Sequence, residues 1–315
     1  MRLRPLLLAL LAALAAARPS HAQRSPTGHF ELSPPYADEQ RVHLMLSDTD
    51  DWRRGSSSFD VPASALQGFD LRRLSADGEP VRFRLVRDAG AIEFTGRVVD
   101  RHVVGRYSFA PDARFVDAMR TRGYERPDES EQFQLALYDI GTAFLDELRT
   151  ERYARPAVED LVRMGTHGVT LDYVRELDAL GYRVGTADAL VTLRDHGVTP
   201  GYVRELRDAG YRSLDADELR TLRDHGVSAS FARELSALGL PRLSTEDLRR
   251  ARDHGVTVNF VDGMRRVGLG GLGIEDLIRL RDHGVTPAFA ETARRNYDAR
   301  TVSEIIRLRD SGVRE

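Results

Sequence analysis

The chain has 315 residues, of which 30% are charged and 41% hydrophobic, and it contains no cysteine. That length accommodates two domains with sizeable cores, while the lack of cysteine excludes disulfides, zinc–thiolate sites, a catalytic thiol and a lipid anchor on cysteine. Every basic residue is arginine, interspersed with acids as in Arg194-Asp195 and Arg204-Glu205, and the net charge is −3, a solvated mixed-sign pattern that argues against nucleic-acid binding.

Residues 1–22 read as a secretory signal peptide. Arg2 and Arg4 precede an apolar run from Leu6 to Ala17, and Ser20-His21-Ala22 places small residues at the −3 and −1 positions of a cleavage site. The run has 12 residues, short of the roughly 20 that a spanning helix needs. No second long apolar stretch follows. The expectation is an exported protein, periplasmic or extracellular, with no membrane span after cleavage.

Residues 23–109 read as a β-rich domain. Val81, Phe83 and Leu85 alternate with Arg82 and Arg84, and Ile92, Phe94 and Val98 alternate with Glu93, Thr95 and Arg97. Val103, Tyr107 and Phe109 continue the period of two, while Val42-Leu44-Leu46 and Phe59-Val61 suggest two earlier strands. This predicts five strands in an antiparallel meander with one buried face. Asp48, Asp50 and Asp51 resemble a calcium loop, but Trp52 and Arg53 stand where a third ligand and a glycine are required. The segment reads as a solvated loop with Trp52 packed beneath it.

Residues 110–315 read as a helical-repeat solenoid. His-Gly-Val recurs at 167, 196, 225, 254 and 283, always 29 residues apart, and Ser311-Gly312-Val313 is a worn sixth copy. In the unit at 197–225, Thr199 is the expected N-cap, Pro200 the first helical residue, and Tyr202, Val203 and Leu206 one apolar face. Gly210-Tyr211 ends that helix, Asp215 caps a second, and Gly226-Val227 ends it. Each glycine fits the left-handed C′ position of a Schellman ending, with Val227 meeting Leu222 and Tyr211 meeting Leu206. The period through Phe115, Phe144, Tyr173, Tyr202, Phe231, Phe260 and Phe289 extends the array to seven units. Asp139-Ile140 and Arg152 mark degenerate early units, and Asn296 before Tyr297 is read as the left-handed residue of the last.

No site with chemistry stands out. The five histidines read as C-terminal caps bonding free carbonyls rather than as a ladder of metal ligands. The repeated Arg-Asp pairs, from Arg194-Asp195 to Arg309-Asp310, read as links between repeats rather than acid–base groups. Gly268–Gly273 falls at an inter-helix link and reads as a joint. No zinc-protease helix, nucleophile elbow or phosphate loop is present, so no catalytic, cofactor-binding or metal residue is assigned and no cofactor is expected.

The phrases at 195–206 (Asp-His-Gly-Val-Thr-Pro-Gly-Tyr-Val-Arg-Glu-Leu) and 279–287 (Arg-Leu-Arg-Asp-His-Gly-Val-Thr-Pro) resemble a helical tail carried by some bacterial membrane metallopeptidases of the β-lactam-sensor type and by exported bacterial proteins. Residues 81–115, with Arg-Asp-Ala-Gly at 87–90, are similar to the β segment that often precedes that tail. The resemblance implies no activity for this chain, since the peptidase part has no counterpart here. Sequence alone therefore points to an α+β protein: a small antiparallel β domain and a seven-unit αα solenoid. Its expected function is that of a non-enzymatic exported scaffold whose repeat surface binds a protein or peptide in the cell envelope. One alternative is a sensor or regulatory partner of a membrane signalling protein; another is an enzyme with its site in the β domain.

Overall fold

A computed structural model describes residues 26–34, 40–48 and 56–314. The signal-peptide segment and Asp50, Asp51, Trp52 and Arg53 lie outside the described residues. No helix among those described is long and apolar enough to cross a membrane.

The fold is α+β. Its strands are β1 (Thr27–Ser33), β2 (Arg41–Ser47), β3 (Ser56–Pro62), β4 (Leu66–Gln67), β5 (Pro80–Arg87), β6 (Gly90–Val99) and β7 (His102–Pro111). They form one antiparallel sheet in the order β3-β2-β1-β7-β6-β5-β4. The expected five strands are all present. Two more, β1 and β4, join them, and β7 runs to Pro111, just past the expected boundary at 109. The sheet is not one meander but two, sewn together where the first strand pairs with the last, Phe30 opposite Gly105 and Leu32 opposite Val103.

Period-two burial holds along the strands. Phe30, Phe83 and Phe94 face inward and make the centre of the sheet core, with Phe83 and Phe94 stacked at 4.7 Å and Phe30 edge-on to Phe94 at 4.9 Å. The strands pinch together beside them. Gly96 and Gly105 are cross-strand partners, and a Cβ on Gly105 would stand 2.2 Å from the Thr95 carbonyl oxygen and 2.5 Å from the Gly96 Cα. Only glycine permits that approach, and it lets the sheet curl over its aromatic centre.

The helices come in seven pairs. The first members are α1 (Ala113–Thr121), α3 (Thr142–Thr150), α5 (Leu171–Ala179), α7 (Pro200–Asp208), α9 (Ala229–Ala237), α11 (Val258–Met264) and α13 (Pro287–Tyr297). The second members are α2 (Glu129–Leu137), α4 (Val158–Thr166), α6 (Ala187–Asp195), α8 (Ala216–Asp224), α10 (Thr245–Asp253), α12 (Ile274–Asp282) and α14 (Val302–Asp310). Helices stack on their equivalents in the next unit, first members on first and second on second. The result is two layers with an apolar seam between them, the expected αα solenoid.

Local chemistry sets each helix boundary. The Thr199 hydroxyl accepts from the Tyr202 N–H at 3.1 Å with Pro200 at the first helical position. Asp215 and Glu218 form a reciprocal capping box on α8. At its other end Gly226 takes φ +66°, its N–H bonds the Arg223 carbonyl, and the Val227 N–H bonds the Leu222 carbonyl at 2.9 Å. That is the expected Schellman pattern, and Tyr211 closes α7 onto the Leu206 carbonyl in the same way. Asp139 and Arg152 hold the left-handed position with φ +60° in the degenerate units. The last unit departs from expectation: α13 continues through Asn296 and Tyr297, and Asp298 is the left-handed residue, at φ +51°. The link at Gly268–Gly273 overlaps a wide turn, Arg265–Leu269, in which Val267 leaves helical geometry and Gly268 takes φ +81°.

Three glycine substitutions separate these constraints. Gly226→Ala is expected to cost about 1 kcal/mol, the strain of a Cβ in the left-handed region. Gly105→Ala should cost about 1–3 kcal/mol, because backbone must move. Gly271→Ala, with nothing within 4 Å of the new Cβ, should be near neutral. Urea unfolding of the three variants checks the order.

Candidate functional site

The histidines and Arg-Asp pairs are brought together, but not as caps on carbonyls. Each His occupies the C-cap position of a second helix, and its Nδ1 bonds the Asp carboxylate one unit later. The pairs are His167–Asp195, His196–Asp224, His225–Asp253, His254–Asp282 and His283–Asp310, at 2.5–2.9 Å. The expectation that these rings bond free carbonyls is corrected. The Asp before each later cap is a charged and so stronger acceptor, while backbone N–H groups take the carbonyls instead. The reading of Arg-Asp as a link between repeats stands.

The Arg of the same pair completes the link. Arg194, Arg223, Arg252, Arg281 and Arg309 lie over the rings of Tyr173, Tyr202, Phe231, Phe260 and Phe289 at 5.0–5.4 Å. Their guanidiniums also cover the left-handed glycines, with the Arg194 Nε donating to the Gly168 carbonyl at 3.0 Å. The aromatic residues, in turn, reach the next unit where they carry a hydroxyl. Tyr173 donates to the Val198 carbonyl at 3.0 Å and Tyr202 to the Val227 carbonyl at 2.9 Å. Burial pushes both phenols up to about 12. These lattice side chains are engaged in holding unit to unit. Among the described residues they form no cluster of three metal-ligating groups.

The aromatic clefts between inter-helix links are engaged in part. One, of about 180 Å³, is lined by Tyr124, Tyr153 and the arginines 122, 149 and 155. The Tyr182 and Tyr211 hydroxyls at equivalent positions donate to the Leu214 and Leu243 carbonyls, and Arg242 covers the Tyr211 ring at 4.9 Å.

The outer face of the sheet is different. Arg82 and Arg106 flank Thr95 across β5, β6 and β7, with Arg84 opposite Glu93 and Arg97 opposite Val104. All four arginines are exposed. Arg84 donates to the Gln67 side chain at 3.2 Å, and among the described residues none of the four has an ion-pair partner. Val86, Val99 and Val104, three of the most exposed large apolar residues, share this face. A shallow depression of about 490 Å³ lies beside Arg97, Val104 and Arg106, with His29 and Glu31 on its rim. Alternation alone marks Arg82, Arg84, Glu93, Thr95 and Arg97 as the wet half of their strands and gives them no function. The signal was the excess of Arg over acid at outward positions, which becomes a patch only once the strand register is known.

Comparison with protein-family models, curated proteins and solved structures finds no match.

Two outcomes follow for the links between units. The coupling in a His225→Ala/Asp253→Ala double-mutant cycle should be at most ~1 kcal/mol, as for other half-exposed pairs, and Arg252→Ala should cost more than either single change because it uncovers the Phe231 ring. Chemical denaturation measures both. Raised tyrosine values also give an alkaline limit. The folded state favours the neutral phenol, so that contribution is present below the unfolded value near 10 and is lost as pH rises towards about 12. Tyr202→Phe should be less stable than the parent at pH 7, with the gap closing above pH 10, read from thermal midpoints across that range.

Proposed function

We propose that this chain is a non-enzymatic exported scaffold that binds an acidic protein or peptide of the cell envelope through the outer face of its sheet. The repeat array serves as the rigid support. Sequence alone points to the repeat surface as the binding face. The sheet is favoured by one observation: among the described residues its four outward arginines form no ion pair, whereas the recurring arginines of the repeats are engaged on rings and glycines. Guanidiniums presented in register suit bidentate pairing with carboxylates, and the flanking valines add apolar surface that becomes buried on contact. Export rests on the pattern of residues 1–22.

The test is retention from envelope extract on the immobilised full chain. A partner held by the parent protein should be lost in the Arg82→Glu/Arg97→Glu/Arg106→Glu variant, be released by raised salt, and persist with Arg233→Glu on the repeats. A partner held equally by the sheet variant, or none recovered by the parent, overturns the reading.

A further inference from the structure

One junction of the solenoid breaks the lattice chemistry. Glu147 on α3, Glu151 just after it and Asp178 on α5 can each offer an oxygen within 4.8 Å of the others. Asp178 is only 9% exposed. Its Oδ1 accepts from the Tyr153 hydroxyl at 3.0 Å, but its Oδ2 is enclosed and has no hydrogen-bond partner. A buried carboxylate oxygen without a donor is costly and calls for a compensating positive group.

The repeat shows that this arrangement is a local substitution rather than a general feature. The positions equivalent to Asp178 are Arg120, Arg149, Arg207, Ser236, Arg265 and Arg294. Where that arginine is present it can close the neighbouring link, as Arg207 does on the Leu180 carbonyl and Arg294 on the Val267 carbonyl. Glu151 likewise stands where later units have Leu180, Ala209, Leu238 and Val267. Between the second and third units, then, a cation is replaced by an anion and an apolar residue by a second anion, side by side. Arg175 holds the Glu147 Oε2 at 2.8 Å and Arg183 holds the Glu151 Oε2 at 2.5 Å. These pairs steady the two glutamates and leave each a second oxygen, with three carboxylates facing two guanidiniums.

We propose that Glu147, Glu151 and Asp178 bind one hard divalent cation, calcium in preference to magnesium. The donor set is all oxygen and anionic, as such ions require. Calcium is preferred because it accepts irregular shells of six to eight oxygens, whereas magnesium demands near-ideal octahedral geometry and gives up its waters reluctantly. Water completes the shell on the open side. The ion supplies the Asp178 Oδ2 with its missing partner and pins α3 to α5, so it staples the second unit to the third.

The test uses the full chain with calcium alone, followed by isothermal titration and by terbium luminescence sensitised through Tyr153. The parent protein should bind one equivalent in the submillimolar to millimolar range of extracellular calcium modules, with a thermal midpoint that rises on adding calcium. Calcium should displace terbium, and magnesium should do so only at higher concentration. Asp178→Asn and Glu147→Gln should each weaken binding at least tenfold. Asp178→Arg restores the lattice residue; it should fold, and its midpoint should ignore calcium, so it keeps the test sound if the other variants unfold. No binding by the parent at 10 mM calcium, or binding that survives both Asp178→Asn and Asp178→Arg, overturns the proposal. Neither result bears on the sheet face, whose test uses different residues.

Discussion

The solenoid depends on a backbone that turns left-handed at one residue in every helix ending. At Gly226 the reversal lets two N–H groups satisfy the last carbonyls of α8, and it throws Val227 back against Leu222. The bare Cα also leaves room for Arg252, whose guanidinium lies over the glycine and on the Phe231 ring. One stereochemical choice thus serves the helix end, the core and the contact with the next unit. A side chain at that glycine would disturb all three. The ring beneath the arginine belongs to the next helix, so the stop of one unit is assembled from parts of its successor. That dependence is why the array behaves as a stack. A nine-residue helix is too short to persist alone, and its ending is complete only when the neighbouring unit is folded.

Regularity of this kind consumes polar side chains. His225 is committed to Asp253, Arg252 to a ring, Tyr202 to a carbonyl. Such residues have the look of catalytic or ligand-binding types, and in an array they are architectural because each copy does the same thing. Specific chemistry has to come from places that escape the lattice. Two do so here: the outer face of a sheet that is not part of the array, and a junction where Asp178 and Glu151 replace the usual residues.

How much of this was legible follows the same division. The helices, their caps and their number could be read because their determinants are local and repeated: Thr199 before Pro200, Gly226 before Val227, an aromatic every 29 residues. The strands around Phe83 and Phe94 were legible from alternation. What escaped was non-local or too short. β4 has only two residues and no period to detect. β1 carries Phe30 and Leu32 in alternation, but its partnership with β7 joins the two ends of the domain and leaves no mark in either segment. The His–Asp bond spans 28 residues and looks from the sequence like a cap. The carboxylate cluster is hidden for a further reason. Glu147, Glu151 and Asp178 match no ligand motif, and their convergence depends on the stacking of α3 on α5.

The degenerate first units make sense once the join to the sheet is considered. The Asp88 carboxylate, in the turn between β5 and β6, accepts from the Thr142 N–H at 2.8 Å and from its hydroxyl at 2.6 Å, so the sheet itself caps α3. On α2 the buried Gln132 donates to the Ala89 and Asp112 carbonyls at 2.7 and 3.0 Å, and Phe133 stacks on Tyr107 at 5.6 Å. A first unit bound to a β domain cannot present the surface that a middle unit presents to its neighbours. The lattice residues are therefore released there: Asp139 replaces the glycine and Gly141 stands at the cap, where a Cβ would come within 2.9 Å of Asp88. The inner face of the sheet takes the place of a preceding repeat, which gives the array its N-terminal cover and leaves the outer face free of that duty.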